Sequence, residues 1–99
     1  MLTHVVLLQP KPEATPEDIQ TALKGIEDLR QHIPEILDLQ IGPSLSPQEK
    51  QGGYAYGFVM HFAGKEQLDL YAVNAIHLAA GAELNRVFCN IVDFDIISR

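Results

Sequence analysis

The 99-residue sequence predicts an α+β fold: one domain over residues 1–99, with four strands and two helices in the order β-α-β-β-α-β. Three observations predict it. After the glycine pair Gly52-Gly53, residues Tyr54, Tyr56, Phe58, Met60 and Phe62 alternate with Ala55, Gly57, Val59 and His61, the period of a strand buried on both faces. Thr15-Pro16-Glu17-Asp18 followed by Ile19, Ala22, Leu23, Ile26 and Leu29 is an amphipathic helix with its start signal. A second helical run and a closing alternation after residue 64 complete the order.

The first strand covers residues 2–9, with His4, Val6 and Leu8 on one face and Thr3, Val5, Leu7 and Gln9 on the other. Pro10 and Pro12 end it, because proline cannot donate to a ladder. In the first helix Thr15 is the N-cap and Pro16 the first helical residue. Pro34 ends this helix, with His32-Ile33 as its last turn. Residues 35–42 form the second strand, with Leu37, Leu39 and Ile41 on its one apolar face. A loop of about a dozen residues, long for a small domain, leads from Gly42 to Gly53. The second helical region starts as 65–73 and resumes after Asn74 as 75–88, with an inward stripe of His77, Gly81, Leu84 and Phe88. Residues 90–97 are the last strand, where Val92, Phe94 and Ile96 alternate with Ile91, Asp93 and Asp95.

This order is that of the ferredoxin-like sandwich, an antiparallel sheet in the order 4-1-3-2 with both helices on one face. The other face would carry Val5, Leu7, Val59, His61, Val92 and Phe94. An uncovered apolar patch of that extent is rare in a monomer. The simplest cover is a second copy, so a homodimer is expected, two sheets closing into one barrel with the helices outside.

Seven basic against thirteen acidic side chains give a net charge of −6, which argues against nucleic acid and anionic membranes as partners. Cys89 is the single cysteine, so no intramolecular disulfide forms. The longest early apolar run, residues 5–8, is too short for a signal peptide or a membrane span, and a cytoplasmic location is the expectation. No metal-ligand spacing, phosphate loop or nucleophile elbow is present, and neither metal nor organic cofactor is expected.

A set of landmarks in order resembles the stress-responsive dimeric α/β-barrel domain (Dabb) family over the whole chain. They are His4-Val-Val-Leu, Ile33-Pro34, Gly42, Gly53-Tyr54, Phe62, Leu68, Tyr71, His77, Asn85-Arg86 and Val92-Asp-Phe-Asp95. The resemblance implies the fold above and the sheet-to-sheet dimer. The family includes heat-stable stress proteins and olivetolic acid cyclase, a polyketide cyclase that uses no cofactor. Its catalytic His and Tyr fall on His77 and Tyr71, and its first-strand His on His4. The sequence departs from it at Tyr56, where the cyclase has a His, and at Asn74-Ala75, which is His-Pro in many members.

The residues themselves point to a cavity. Ala80 and Gly81 follow His77 at i+3 and i+4, where larger side chains would pack beside the imidazole. Val6, Leu8, Tyr56, Phe58 and Met60 would line the floor, and Leu23, Ile26 and Phe88 the walls. Burial would keep His77 neutral, and the Tyr71 hydroxyl would orient it or polarise a carbonyl. According to strand register, Tyr56 and Asp93 come within reach of His4, and a carboxylate there would fix its tautomer. The expected activity is cyclase- or lyase-like, on a small carbonyl or polyketide-like compound, with His77 as base and Tyr71 and His4 beside it. The alternatives are a non-catalytic stress-responsive dimer and a cofactor-free monooxygenase on the same architecture.

Overall fold

The structure, a computed structural model, describes residues 1–98. Four strands, β1 (Leu2–Pro10), β2 (Asp38–Pro43), β3 (Tyr56–Phe62) and β4 (Phe88–Ile97), form one antiparallel sheet in the order β2-β3-β1-β4. This is the ferredoxin-like order expected. The first crossover holds α1 (Pro16–Glu27) and α2 (Leu29–His32), and the β2–β3 loop holds a single turn, α3 (Gln48–Gln51). The second crossover holds α4 (Lys65–Ala72) and α5 (Ala75–Val87).

Helix α1 starts as its sequence dictates. The Asp18 amide donates to Thr15 Oγ1 at 3.0 Å and the Thr15 amide donates to Asp18 Oδ2 at 3.2 Å, a reciprocal cap. Removing it by Thr15→Ala is expected to lower unfolding stability by about 1 kcal/mol in urea titration. The long helix expected up to Pro34 is broken at Asp28. There the Gln31 amide reaches the Asp28 carbonyl in a tighter i to i+3 turn, which keeps both Leu29 and Ile33 in the core.

The other boundaries shift for local reasons. Ile36 is held in a turn on the Ile33 carbonyl, so β2 begins at Asp38, and Leu37 stands exposed before it. Tyr54 and Ala55 are tied to Gln51 and Gly53 and close the loop instead of opening β3. Gly52 and Gly53 turn the chain there at φ 60° and 88°, a left-handed conformation that favours glycine. Phe88 has extended backbone and opens β4 rather than ending α5.

The core lies between the helices and one face of the sheet. Leu2, Val6, Leu8, Phe58, Met60 and Phe62 meet Ile19, Ala22, Leu23 and Ile26 of α1, Leu68 and Tyr71 of α4, and Leu84 and Val87 of α5. The opposite face is bare. Register sets Val5 between Val59 and Phe94, Leu7 between Gly57 and Val92, and Thr3 between His61 and Ile96. Phe94 is 60% exposed and Ile96 47% on this face. His61 lies there too, its Nδ1 3.5 Å from Asp38 at the β2 edge. A Cβ on Gly57 would come within 2.9 Å of the Val6 carbonyl oxygen, so the flat approach of β3 to β1 requires glycine.

Candidate active site

The joint between α4 and α5 builds the site. Asn74 caps α5, its Oδ1 accepting from the Ile76 amide at 2.9 Å. This sharp start puts His77, in the first turn of α5, over Tyr71, in the last turn of α4, with ring centres 4.1 Å apart. The terminal carbonyls of a helix lack intrahelical partners. That of Ala72 finds one in His77, whose Nδ1–H donates to it at 3.1 Å. A carbonyl only accepts, so the neutral ring carries its proton on Nδ1 and leaves the Nε2 lone pair unoccupied. His77 is therefore oriented by backbone and stacked on Tyr71, not hydrogen-bonded to the phenol.

Below them, β1 presents His4, the one buried charged or polar side chain among the described residues. Register places His4 directly across from Asp95, and His4 Nδ1–H donates to Asp95 Oδ1 at 2.5 Å. The His4 ring meets Phe58, Phe62 and Tyr71 edge-on at 5.9–6.2 Å. The result is one continuous stack from His77 through Tyr71 to His4, anchored at Asp95.

A cavity of about 810 Å³ opens beside this stack, between α4–α5 and the sheet. It exists because the buried residues of α5, Leu84 and Val87, lie in its second half, while Ala79, Ala80, Gly81 and Ala82 just before them are small. A Cβ at Gly81 would touch nothing within 4 Å. His4, Tyr71 and His77 all line this space, as do Val6, Ile26, Phe58, Gly81 and Asp93. Five other expected lining residues do not. Leu8 and Met60 are fully buried and fill the core. Leu23 faces the seam between α1 and β2, beside Ile41 and Gly42. Tyr56 and Phe88 pack on each other, ring centres 6.4 Å apart. Alternation fixes the face on which these residues lie, but not the stretch that the helices leave uncovered. That stretch follows β1 and β4.

The expected partners of His4 are corrected as well. Asp93 stands across from Val6, and Tyr56 across from Leu8, so neither reaches the imidazole. Asp95 does, and it was the residue missed. It shares a face with Asp93, two positions on, so only register separates the two. Lys65, Asp69, Leu78 and Asn85 also line the cavity and were not singled out. Asn85 had a signal, lying one turn beyond Gly81 on the same helix face.

Electrostatics divides the labour in this stack. Burial lowers the His77 pKa below the ordinary imidazole value, with the Ala72 hydrogen bond opposing, so the ring is neutral near pH 7. Burial, reinforced by the nearby charge of Asp93, pushes the Tyr71 phenol far up, so it stays protonated and can donate. Among the described residues the Tyr71 hydroxyl has no partner in the chain, and no fully buried side-chain polar atom is left unsatisfied. The phenol is thus open to water or ligand in the cavity. A neutral base beside a protonated donor can take a proton at carbon or oxygen while steadying the negative charge that forms. Among the described residues, no group of three His, Cys, Asp or Glu side chains is placed to hold a metal ion. No helix among them is long and apolar enough to cross a membrane.

Comparison with known proteins places this architecture. A dimeric ferredoxin-like protein of unknown function from a Jannaschia species is 30% identical, with a TM-score of 0.86 over 98% of each chain. A protein of Arabidopsis thaliana superposes with a TM-score of 0.91 at 22% identity, over 100% of this chain and 96% of that one. The hydroxynitrile lyase of Passiflora edulis superposes equally well, at 0.91, with 17% identity over 99% of this chain and 93% of its own. No curated protein matches the chain in sequence. The sequence model of the stress responsive A/B barrel domain covers residues 2–98, and the chain belongs to that family.

Proposed function

We propose that the protein is a homodimeric barrel enzyme that binds a small carbonyl compound in the α4–α5 cavity and moves a proton on it with His77. The carrying observation is the Nδ1–H bond from His77 to the Ala72 carbonyl, which leaves Nε2 as the basic atom beside the Tyr71 phenol. His77 Nε2 takes a proton from the carbon next to the carbonyl. Tyr71 donates a hydrogen bond to the carbonyl oxygen as it gains enolate charge. The carbanion then forms a carbon–carbon bond to a second carbonyl in the same substrate, and the proton on His77 goes to the new alkoxide. Asp95 holds His4 at the foot of the stack and fixes its tautomer. One neighbour with this fold is a hydroxynitrile lyase, which makes a base-catalysed lyase step the related reading.

Sheet-to-sheet pairing through Val5, Leu7, Val59, His61, Val92 and Phe94 is the dimer we propose. It is supported by the exposed apolar face and by the neighbours described as dimeric. A cytoplasmic location goes with this reading and with the lone cysteine.

The cavity is tested by Gly81→Leu. With nothing near the missing Cβ, a leucine enters the cavity without displacing the core. The variant is expected to unfold at or above the wild-type temperature. In wild type, an aryl ketone or short diketone at 100 times its dissociation constant should add about 2.7 kcal/mol, read as a rise in Tm. The variant should show no rise. An equal rise in both proteins would place the ligand elsewhere. No rise in wild type with any such compound would favour a non-catalytic dimer.

A further inference from the structure

The cavity holds three carboxylates, and two of them are spoken for. Asp95 accepts from His4, and Asp69 pairs with Lys65 at 2.5 Å. Among the described residues, Asp93 has neither an ion pair nor a hydrogen bond. It projects from β4 on the helix-facing side, across from Val6 and between Ile91 and Asp95 on that face, at an exposed position of the cavity rim. It lines the same cavity as Tyr71 and His77, and its negative charge favours the protonated form of both. His77 is neutral and offers it no counter-charge.

We infer that Asp93 sets the ligand class of this cavity: a carbonyl compound that carries an ammonium or another hydrogen-bond donor away from the reacting end, with carboxylates rejected. This rests on the reading of the cavity as a carbonyl site. An ammonium would give Asp93 its missing partner in a charge-assisted bond, and a hydroxyl would give it a weaker one. A carboxylate would meet like charge, and Lys65, the one Lys or Arg among the described residues that lines the cavity, is paired with Asp69.

Three acetophenones that differ only in the para group separate the cases: aminomethyl, hydroxymethyl and carboxy. Isothermal titration calorimetry of wild type is expected to show the aminomethyl compound bound at least about tenfold more tightly than the carboxy compound. The hydroxymethyl compound should lie between them. Asp93→Asn should narrow the spread to within about twofold, and so should raising the salt. Asp93→Ser, a second variant at this exposed position, should behave like the asparagine. The inference is overturned if wild type binds the carboxy compound as tightly as the aminomethyl one, or if the preference survives in both variants. In either case the cavity reading stands, provided the hydroxymethyl compound binds wild type and is lost in Gly81→Leu. No binding of any of the three by wild type overturns both.

Discussion

His77→Ala is expected to remove the proposed turnover and leave the fold in place. A positioned general base contributes about 10²- to 10⁴-fold to rate, and that is the fall in kcat expected of this variant. The fold survives because His77 is only half-buried and its one hydrogen bond is to the Ala72 carbonyl near the surface, which water can replace. The pH dependence follows from the lowered pKa. Activity needs the neutral ring, so the acid limb of kcat/KM should fall below the ordinary imidazole value of 6.5. Stability should move the same way. The unfolded chain protonates this histidine more readily than the folded one, so stability is lost as pH falls through 6.5 toward the lower folded value. His77→Ala should flatten that part of the stability curve. Wild-type kcat in a folded His77→Ala protein would take His77 out of the mechanism.

Phe94→Asp is expected to turn the proposed dimer into a monomer. Phe94 is the most exposed large apolar side chain of the bare sheet face and lies beside Val5, in the middle of the β1–β4 ladder. A face-to-face pair would bury it twice, once in each copy. An unpaired buried carboxylate costs about 3–5 kcal/mol, and two related by symmetry would carry the dissociation constant up by more than a thousandfold. Sedimentation at micromolar concentration should then show monomer where wild type is dimer. Leu45→Asp is the control, since that leucine is 97% exposed on the β2–β3 loop and lies outside the proposed contact. A Phe94→Asp protein that stays dimeric at the same concentrations would move the interface off this face.

The strands were legible because alternation leaves little choice. Phe58, Met60 and Phe62 can only share a face, and that face must meet the helices if Val59 and His61 are to lie on the other. The start of α1 was written in Thr15, Pro16 and Asp18, whose local bonds owe nothing to the rest of the chain. What the sequence hid depends on distance through the fold. The break at Asp28 answers to the placing of Leu29 and Ile33 together in the core, which periodicity alone does not require. The pairing of His4 with Asp95 rather than Asp93 is a matter of register, and two aspartates at the same parity look alike until the ladder is built. The cavity is the sharpest case. His77, Tyr71 and Gly81 announced it through their residue types, yet Leu8, Met60 and Phe88 sit on the right face and still fall outside it. Where a helix lifts from a sheet is decided by which half of it is anchored, here by Leu84 and Val87.

His77 is expected to present an unprotonated Nε2 to a ligand in the α4–α5 cavity. Imidazole nitrogen NMR, recorded near pH 7 during titration with hydroxymethyl acetophenone, reads it directly. The expected spectrum shows His77 neutral with the proton on Nδ1, its Nε2 resonance moving as the ketone binds and standing still in Gly81→Leu. A His77 protonated on Nε2, or one whose resonances ignore the bound ketone, would contradict the account.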